Sequence, residues 1–191
     1  MEATSMGQYY QTAFILNDKK IEVMKPHDYG NGLKLMEHSY VGNNYVNSVV
    51  KHLEDITKRY GGCRMAHVGD YSNDVIEEMM GRKKYAKRAY SACWGKGYDK
   101  HRITPAGEID KDIFIVNDAK KEYIRVIQTC ADDKWWVASF MLLIAMGNGL
   151  GGGDYHGRSE GLVGRWACDC VRTSEVEPEG YLKIHGWEFK E

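Results

Sequence analysis

Three short stretches hold most of the side chains able to do chemistry. The first, "HDYGNGLKLMEHSYVGNN" from His27 to Asn44, crowds His27, His38, Asp28, Glu37, Lys34, Asn31 and Asn43 together. The second is Asp70-Tyr71, directly after the β-rich run "CRMAHVG". The third is "MGNGLGGGDYHGRSEG", Met146 to Gly161, with seven glycines in sixteen residues around Asp154 and His156. An imidazole beside a carboxylate is the usual apparatus of general acid–base catalysis, the carboxylate orienting the ring or holding a metal. On that chemistry His38 and His156 are candidate acids or bases, and Asp70 and Asp154 their orienters. Asp28, Tyr29, Asn31, Lys34, Asn148 and Tyr155 are candidate ligand contacts, because polar strand-to-loop junctions that converge make a cleft. Each also has a plainer role. Asp28 and Asn31 suit turns, Lys34 and Glu37 a local ion pair, and His38 a hydrogen-bonded core histidine.

The glycine stretch fails two nucleotide tests. Gly147-x-Gly149-x-x-Gly152 has the letters of a dinucleotide fingerprint, but no helix or β-α-β unit follows it. A phosphate-cradling P-loop needs a Gly-Lys-Ser/Thr triplet, which is absent. "GDYHGR" resembles the opening motif of metallophosphoesterases, and "GDYSND" at Gly69 their second motif. The order is reversed, however, and the later motif that completes a two-metal centre is missing. Cys168-x-Cys170 lacks a second pair at zinc spacing, so the five cysteines read as free thiols in a reduced, cytoplasmic protein. No cofactor and no metal is expected. The glycines read best as positive-φ positions in a shaped loop between strands, and that loop as a place for ligand contact.

The elements that must position these residues are mostly strands. "QYYQTAFIL", the Asn17-Asp18 turn and "KIEVM" predict a hairpin that Pro26 ends. Asn43 predicts a cap for a helix from Asn44 to Tyr60, with Val46, Val49, Val50, Leu53, Ile56 and Tyr60 on one stripe and Gly61-Gly62 stopping it. "CRMAHVGDYS" reads as a strand entering a turn. Ser72 or Asn73 then caps a second helix whose apolar side is Val75, Ile76, Met79 and Met80. "DIFIVNDAKKEYIRVI" is a further hairpin. "WWVASFMLLIAM" suits either a helix or a buried strand, with strand preferred. "LVGRWACDCVRT" places Leu162, Trp166, Cys168 and Cys170 on one face of a strand, and "GYLKIHGWEF" closes the chain as another. The expectation is one α+β, strand-rich domain over 6–191, mostly antiparallel, with two or three amphipathic helices. Met1 to Ser5 read as a dispensable leader.

Residues 81–110 stand apart as a basic and aromatic insertion. From Gly81 to Arg102 eight Lys or Arg face a single Asp. Lys83, Lys84, Lys87 and Arg88 offer charge to a phosphate or an acidic surface, and Trp94 offers stacking area, so 82–102 is a candidate nucleotide, nucleic-acid or protein contact. The alternative is an amphipathic helix with Tyr85, Ala89, Cys93 and Trp94 facing the core. The whole chain carries a formal charge of only −1, so attraction to an anionic partner must be local. Hydrophobic residues at 43% fit a globular protein, and the longest apolar run is too short to cross a membrane.

Six blocks together, "MGQYY", "HDYGNGLKLMEHSYVGN", "HVGDYS", "VNDAKKEYI", "GNGLGGGDYHG" and "LVGRWACD", resemble a family of small bacterial and phage proteins of unknown function. The resemblance implies a phage-associated origin and no mechanism. The sequence therefore points first to a binding or inhibitory module that engages a host protein or a phosphate-containing ligand. The alternative is a small metal-assisted or acid/base enzyme acting on a nucleotide-like or phosphodiester substrate.

Overall fold

A computed structural model describes residues 8–17, 20–38, 43–79, 81–95, 109, 111–126, 140–147 and 162–184. Alternating apolar residues make the first hairpin, β1 (Tyr10–Ile15) and β2 (Ile21–Met24), with Thr12 opposite Met24. Pro26 cannot donate to a ladder, and the chain turns there into a 3₁₀ turn, Pro26–Tyr29, closed by Gly30 at φ 70°. A second 3₁₀ turn, Leu35–His38, leads toward helix α1 (Asn44–Tyr60).

Helix α1 begins where the Asn43 side chain accepts from the Val46 amide and ends at Gly61, φ 78°. Its buried stripe is Val46, Val49, Val50, Leu53 and Ile56. Tyr60, expected on that stripe, is 62% exposed as the last residue of the helix before Gly61. Strand β3 (Cys63–Gly69) follows and pairs antiparallel with β1, setting Thr12 opposite His67 and Tyr10 opposite Gly69.

Beyond β3 come the four-residue α2 (Asn73–Ile76) and the longer α3 (Lys83–Trp94). The expected helix through Met79 is cut short. Ser72 spends its hydroxyl on the Met146 carbonyl, and the chain turns at Glu77. Strands β4 (Phe114–Asn117) and β5 (Glu122–Arg125) form the second hairpin, with Lys121 at φ 55° in its turn. Of the apolar stretch expected as a strand, the described part, 140–146, splits instead: Phe140–Leu143 is a helical turn, α4, and Ala145–Met146 is extended, as β6. Met141, Leu142 and Leu143, consecutive and buried, fit a helix inside the core, and the exit toward glycine straightens the chain.

Residues 162–168 are a run of turns rather than a strand, and β7 starts only at Cys170 (Cys170–Ser174). Trp166, Cys168 and Cys170 therefore do not share a face. Trp166 enters the main core, Cys168 lies on the α3 side, and Cys170 is exposed. The last strand among the described residues is the two-residue β8 (Leu182–Lys183). The eight strands of the described residues form one sheet in the order β2-β1-β3-β7-β4-β5-β8, with β6 parallel to β3. The fold is a single α+β, strand-rich domain with a mostly antiparallel sheet.

Period-two alternation divides β1 and β3 between two cores. Phe14, Cys63 and Met65 face α1, while Ala13, Ile15, Ala66 and Val68 face Ala86, Ala89 and Cys93 of α3. The segment 81–95 is thus built into the sheet's second face rather than added beside it. On the α1 side the positions of Thr12 and His67 are polar although both side chains are fully buried. These two break the apolar pattern and lead to the site.

Candidate functional site

Burying a polar side chain without a partner costs a few kcal/mol, so Thr12 and His67 must be bonded. His67 Nδ1 lies 3.0 Å from Thr12 Oγ1, and Thr12 Oγ1 2.7 Å from the Tyr45 hydroxyl. Tyr45 reaches on to the Met24 carbonyl at 3.1 Å. On the other side His67 Nε2 meets His38 Nδ1 at 2.9 Å, and His38 Nε2 meets the Gly32 carbonyl at 3.1 Å. Three elements deliver these groups. The β1–β3 register sets Thr12 beside His67, the first turn of α1 supplies Tyr45, and the 3₁₀ turn brings His38. All four side chains are fully buried.

Burial favours the neutral imidazole, and it lowers His38 from the ordinary 6.5 to about 4 even though the Gly32 carbonyl works the other way. His67 is pushed well down by burial first and by the neighbouring His38 second. Burial pushes the Tyr45 phenol up. At neutral pH the cluster is therefore uncharged.

Tyr10 roofs the cluster. Its ring stacks on His67 with centroids 5.0 Å apart and planes 27° apart, and its hydroxyl donates to Gln8 Oε1 at 2.8 Å. Two glycines make room for that oxygen. A Cβ on Gly69, at the end of β3, would lie 2.6 Å from Gln8 Oε1. A Cβ on Gly147, at the end of β6, would overlap the same atom and lie 2.6 Å from the Tyr10 hydroxyl. The first glycine of the glycine-rich stretch thus passes directly over the Tyr10–Gln8 pair.

Two of the three chemically rich stretches, and the entrance of the third, do meet at this end of the sheet. Leu33 accepts from the Tyr10 amide at 2.8 Å, and Asp70 Oδ1 accepts from the Tyr9 amide at 3.1 Å. Tyr9 and Tyr71 stand exposed on either side of Asp70. His38 sits in the cluster, while Asp70 clasps the backbone at its rim, and no described contact joins the two. Tyr29 is buried against Tyr45, with ring centroids 5.6 Å apart, so it supports the cluster from behind. Asn31 Nδ2 donates to Asn43 Oδ1 at 2.6 Å, and the Lys34 amide donates to Glu37 Oε2 at 2.7 Å. Asp28 is exposed in the first 3₁₀ turn. Asn148, Asp154, Tyr155 and His156 lie outside the described residues, as does Cys130.

Sequence reading missed His67, Thr12, Tyr45, Tyr10 and Gln8. The available signal was polarity on the inward face: Thr12 and His67 occupy positions that alternation reserves for apolar side chains. Among the described residues no group of three His, Cys, Asp or Glu side chains could hold a metal ion, and no helix is long and apolar enough to cross a membrane. Cys63, Cys93 and Cys168 are buried free thiols. Burial pushes the Cys168 thiol up to about 12, so it is unreactive at neutral pH.

The basic stretch has a geometry of its own. Helix α3 buries Ala86, Ala89, Ala92 and Cys93 and turns Lys84 and Lys87 to solvent. Lys83 and Lys87 both pair with Glu77, and Arg88 donates to the Asn17 carbonyl at 3.0 Å. Its aromatic residues are engaged internally. Arg64 lies over the Tyr85 ring at 4.1 Å, Tyr90 donates to the Asp70 carbonyl at 3.0 Å, and Trp94 donates to the Val68 carbonyl at 3.3 Å.

No family model, curated protein or solved structure matches this chain.

Proposed function

We propose that this protein is a binding module that docks on the acidic surface of a partner protein through the solvent face of α3. The carrying observation is that face itself. Lys83, Lys84, Lys87 and Arg88 stand within two turns of a helix that contains no acidic residue. Nucleic-acid binding draws on aromatic stacking as well as charge. Here Tyr85, Tyr90 and Trp94 are half-buried and already engaged by Arg64 and the Asp70 and Val68 carbonyls, which favours an acidic protein over a single-stranded nucleic acid. Catalysis by His38 is disfavoured on the same kind of ground. A general acid or base works best with a pKa near the operating pH and within reach of substrate, whereas His38 is buried and held neutral. The resemblance to phage proteins is consistent with a host protein as the partner and inhibition as the outcome.

The test is fluorescence anisotropy with a labelled poly-glutamate peptide, followed across a salt series. The wild-type chain binds, and binding weakens as salt screens the charges. The fourfold variant K83Q/K84Q/K87Q/R88Q loses that binding while melting at the same temperature. Equal binding by the variant would sink the reading. Preferential binding of duplex DNA, lost in the same variant, would replace the acidic protein with a phosphate-bearing partner.

A further inference from the structure

Protons and links can be counted along the buried chain of hydrogen bonds. Among the described residues, five links run between two backbone carbonyls that can only accept: Gly32 to His38, His38 to His67, His67 to Thr12, Thr12 to Tyr45, and Tyr45 to Met24. Each link needs one proton. Two neutral imidazoles, one threonine and one tyrosine supply one each, which is one fewer than the links require. We propose that this chain is a buried binding site for a single proton, whose uptake fills the fifth link and reverses the direction in which Thr12 and Tyr45 donate.

The bond directions in the neutral state follow from the Gly32 end together with the lengths of the links. Gly32 can only accept, so His38 carries its proton on Nε2 and accepts at Nδ1. His67 must then donate from Nε2 and accept at Nδ1, which makes Thr12 the donor to His67. Tyr45 donates to Thr12 at 2.7 Å, and the longer 3.1 Å approach to Met24 is the link without a proton of its own. That is the least costly place for the gap. A gap between the rings would set two nitrogen lone pairs face to face at 2.9 Å.

One added proton closes the gap whichever ring carries the charge. In both cases His67 Nδ1 becomes a donor to Thr12, Thr12 donates to Tyr45, and Tyr45 donates to Met24. A second proton has no place, because it would set two N–H groups against each other across the His38–His67 link. The lowering of His67 by charge on His38 agrees with single occupancy.

The surroundings offer little that would hold a second charge. From β1 the facing groups are the Tyr10 ring, the Thr12 hydroxyl and the Gln11 carbonyl, which favours a proton on His67; from the first 3₁₀ turn, Tyr29; from α1, Tyr45, with His52 and Glu22 beyond Phe14. From α3 the Cys93 thiol couples to Tyr45, and Lys25 from the end of β2 acts on Cys93. Strand β6 contributes only Ala145 and Met146. At the outer end a Cβ on Gly32 would overlap the Glu37 carboxylate, so that acid is the neighbour placed to balance an added positive charge.

The experiment is ¹⁵N imidazole NMR on the full chain, from neutral pH down to about 4. At neutral pH both rings are expected as Nε2–H tautomers. On acidification the pair gains one proton, marked by protonation of His67 Nδ1. Tyr45→Phe removes two links and one proton and leaves three links with three protons. It should keep both tautomers and need about tenfold more acid to protonate, since the new Thr12 donor has lost its acceptor. An Nδ1–H tautomer on either ring at neutral pH would overturn the proposal. So would uptake of two protons by the folded protein, Tyr45→Phe titrating like the wild type, or loss of the fold before His67 Nδ1 gains its proton.

Discussion

Mild acid should destabilise this protein through the buried His38–His67 pair. An unfolded histidine titrates near 6.5, whereas burial holds folded His38 near 4 and His67 well below its ordinary value. The folded-state values are depressed, so the unfolded chain takes up protons first as pH falls. Stability is therefore full above about 6.5 and is lost progressively toward about 4. Each histidine that stays neutral in the fold costs about 1.4 kcal/mol per pH unit in that window. Between about pH 6.5 and 5 the pair removes about 4 kcal/mol, a large share of the roughly 5–15 kcal/mol typical of a domain. Urea unfolding at several pH values measures this as a falling midpoint. His38→Gln keeps a donor and an acceptor at the site but cannot titrate, so it should show about half the wild-type slope and a smaller loss at pH 5. A wild-type midpoint unchanged between pH 7 and 5, or an undiminished slope in His38→Gln, would refute the reasoning. Carboxylates held down by partners, such as Glu175 beside Lys111, lose their pairing only below the ordinary carboxylate range and do not confuse the window.

Three further outcomes follow from the contacts around the site and the core. Gly147→Ala forces a methyl onto Gln8 and Tyr10 and should cost about 1–3 kcal/mol, read by thermal melting; a neutral result would mean that Gly147 does not pass over Tyr10. Asn43→Ala removes the helix cap, a bond from Asn31 and a bond to the Glu37 carbonyl, for about 2 kcal/mol in urea unfolding, whereas Asn43→Asp, which keeps the capping oxygen, should lose less. Glu122, although burial works to raise its pKa, is held below its ordinary value by Arg165 and Trp166. Glu122→Gln should cost about 2 kcal/mol and shift the Trp166 fluorescence, and an unchanged spectrum would contradict the 2.7 Å indole bond.

Most of the elements were legible because each carries a local cause. Asn43 and Gly61 bound α1, Pro26 stops β2, and the two short hairpins have polar turns between alternating runs. Local causes failed where packing decides. "FMLLIAM" is apolar throughout, so periodicity cannot separate a buried helical turn from a buried strand, and the structure uses both. Residues 162–168 carry a strand's letters but close as turns, because the Trp166 amide bonds to Leu143 and the Cys168 amide to Met65 across the fold. Only the tertiary partner reveals such bonds.

The site was half legible for a related reason. His38 and Asp70 drew notice because they sit among other polar residues, and they proved to do different things: one is a buried link in a chain, the other a clasp on the Tyr9 backbone. His67 and Thr12 looked like strand residues and went unnoticed, yet they form the centre. A rule of wider use lies in that contrast. When two antiparallel strands are both expected to bury one face, a polar residue on that face of each is strong evidence that the two lie opposite one another, since neither can be buried alone without loss. Thr12 and His67 satisfy the rule, and matching them as partners is enough to set the β1–β3 register. The variant pair Thr12→Val and His67→Phe tests it. Thr12→Val alone leaves His67 Nδ1 without a donor and should cost about 2 kcal/mol. Combining the two removes both polar groups, so the double variant should lose less than the sum of the single losses. Strict additivity in that cycle would mean that the two side chains do not depend on each other.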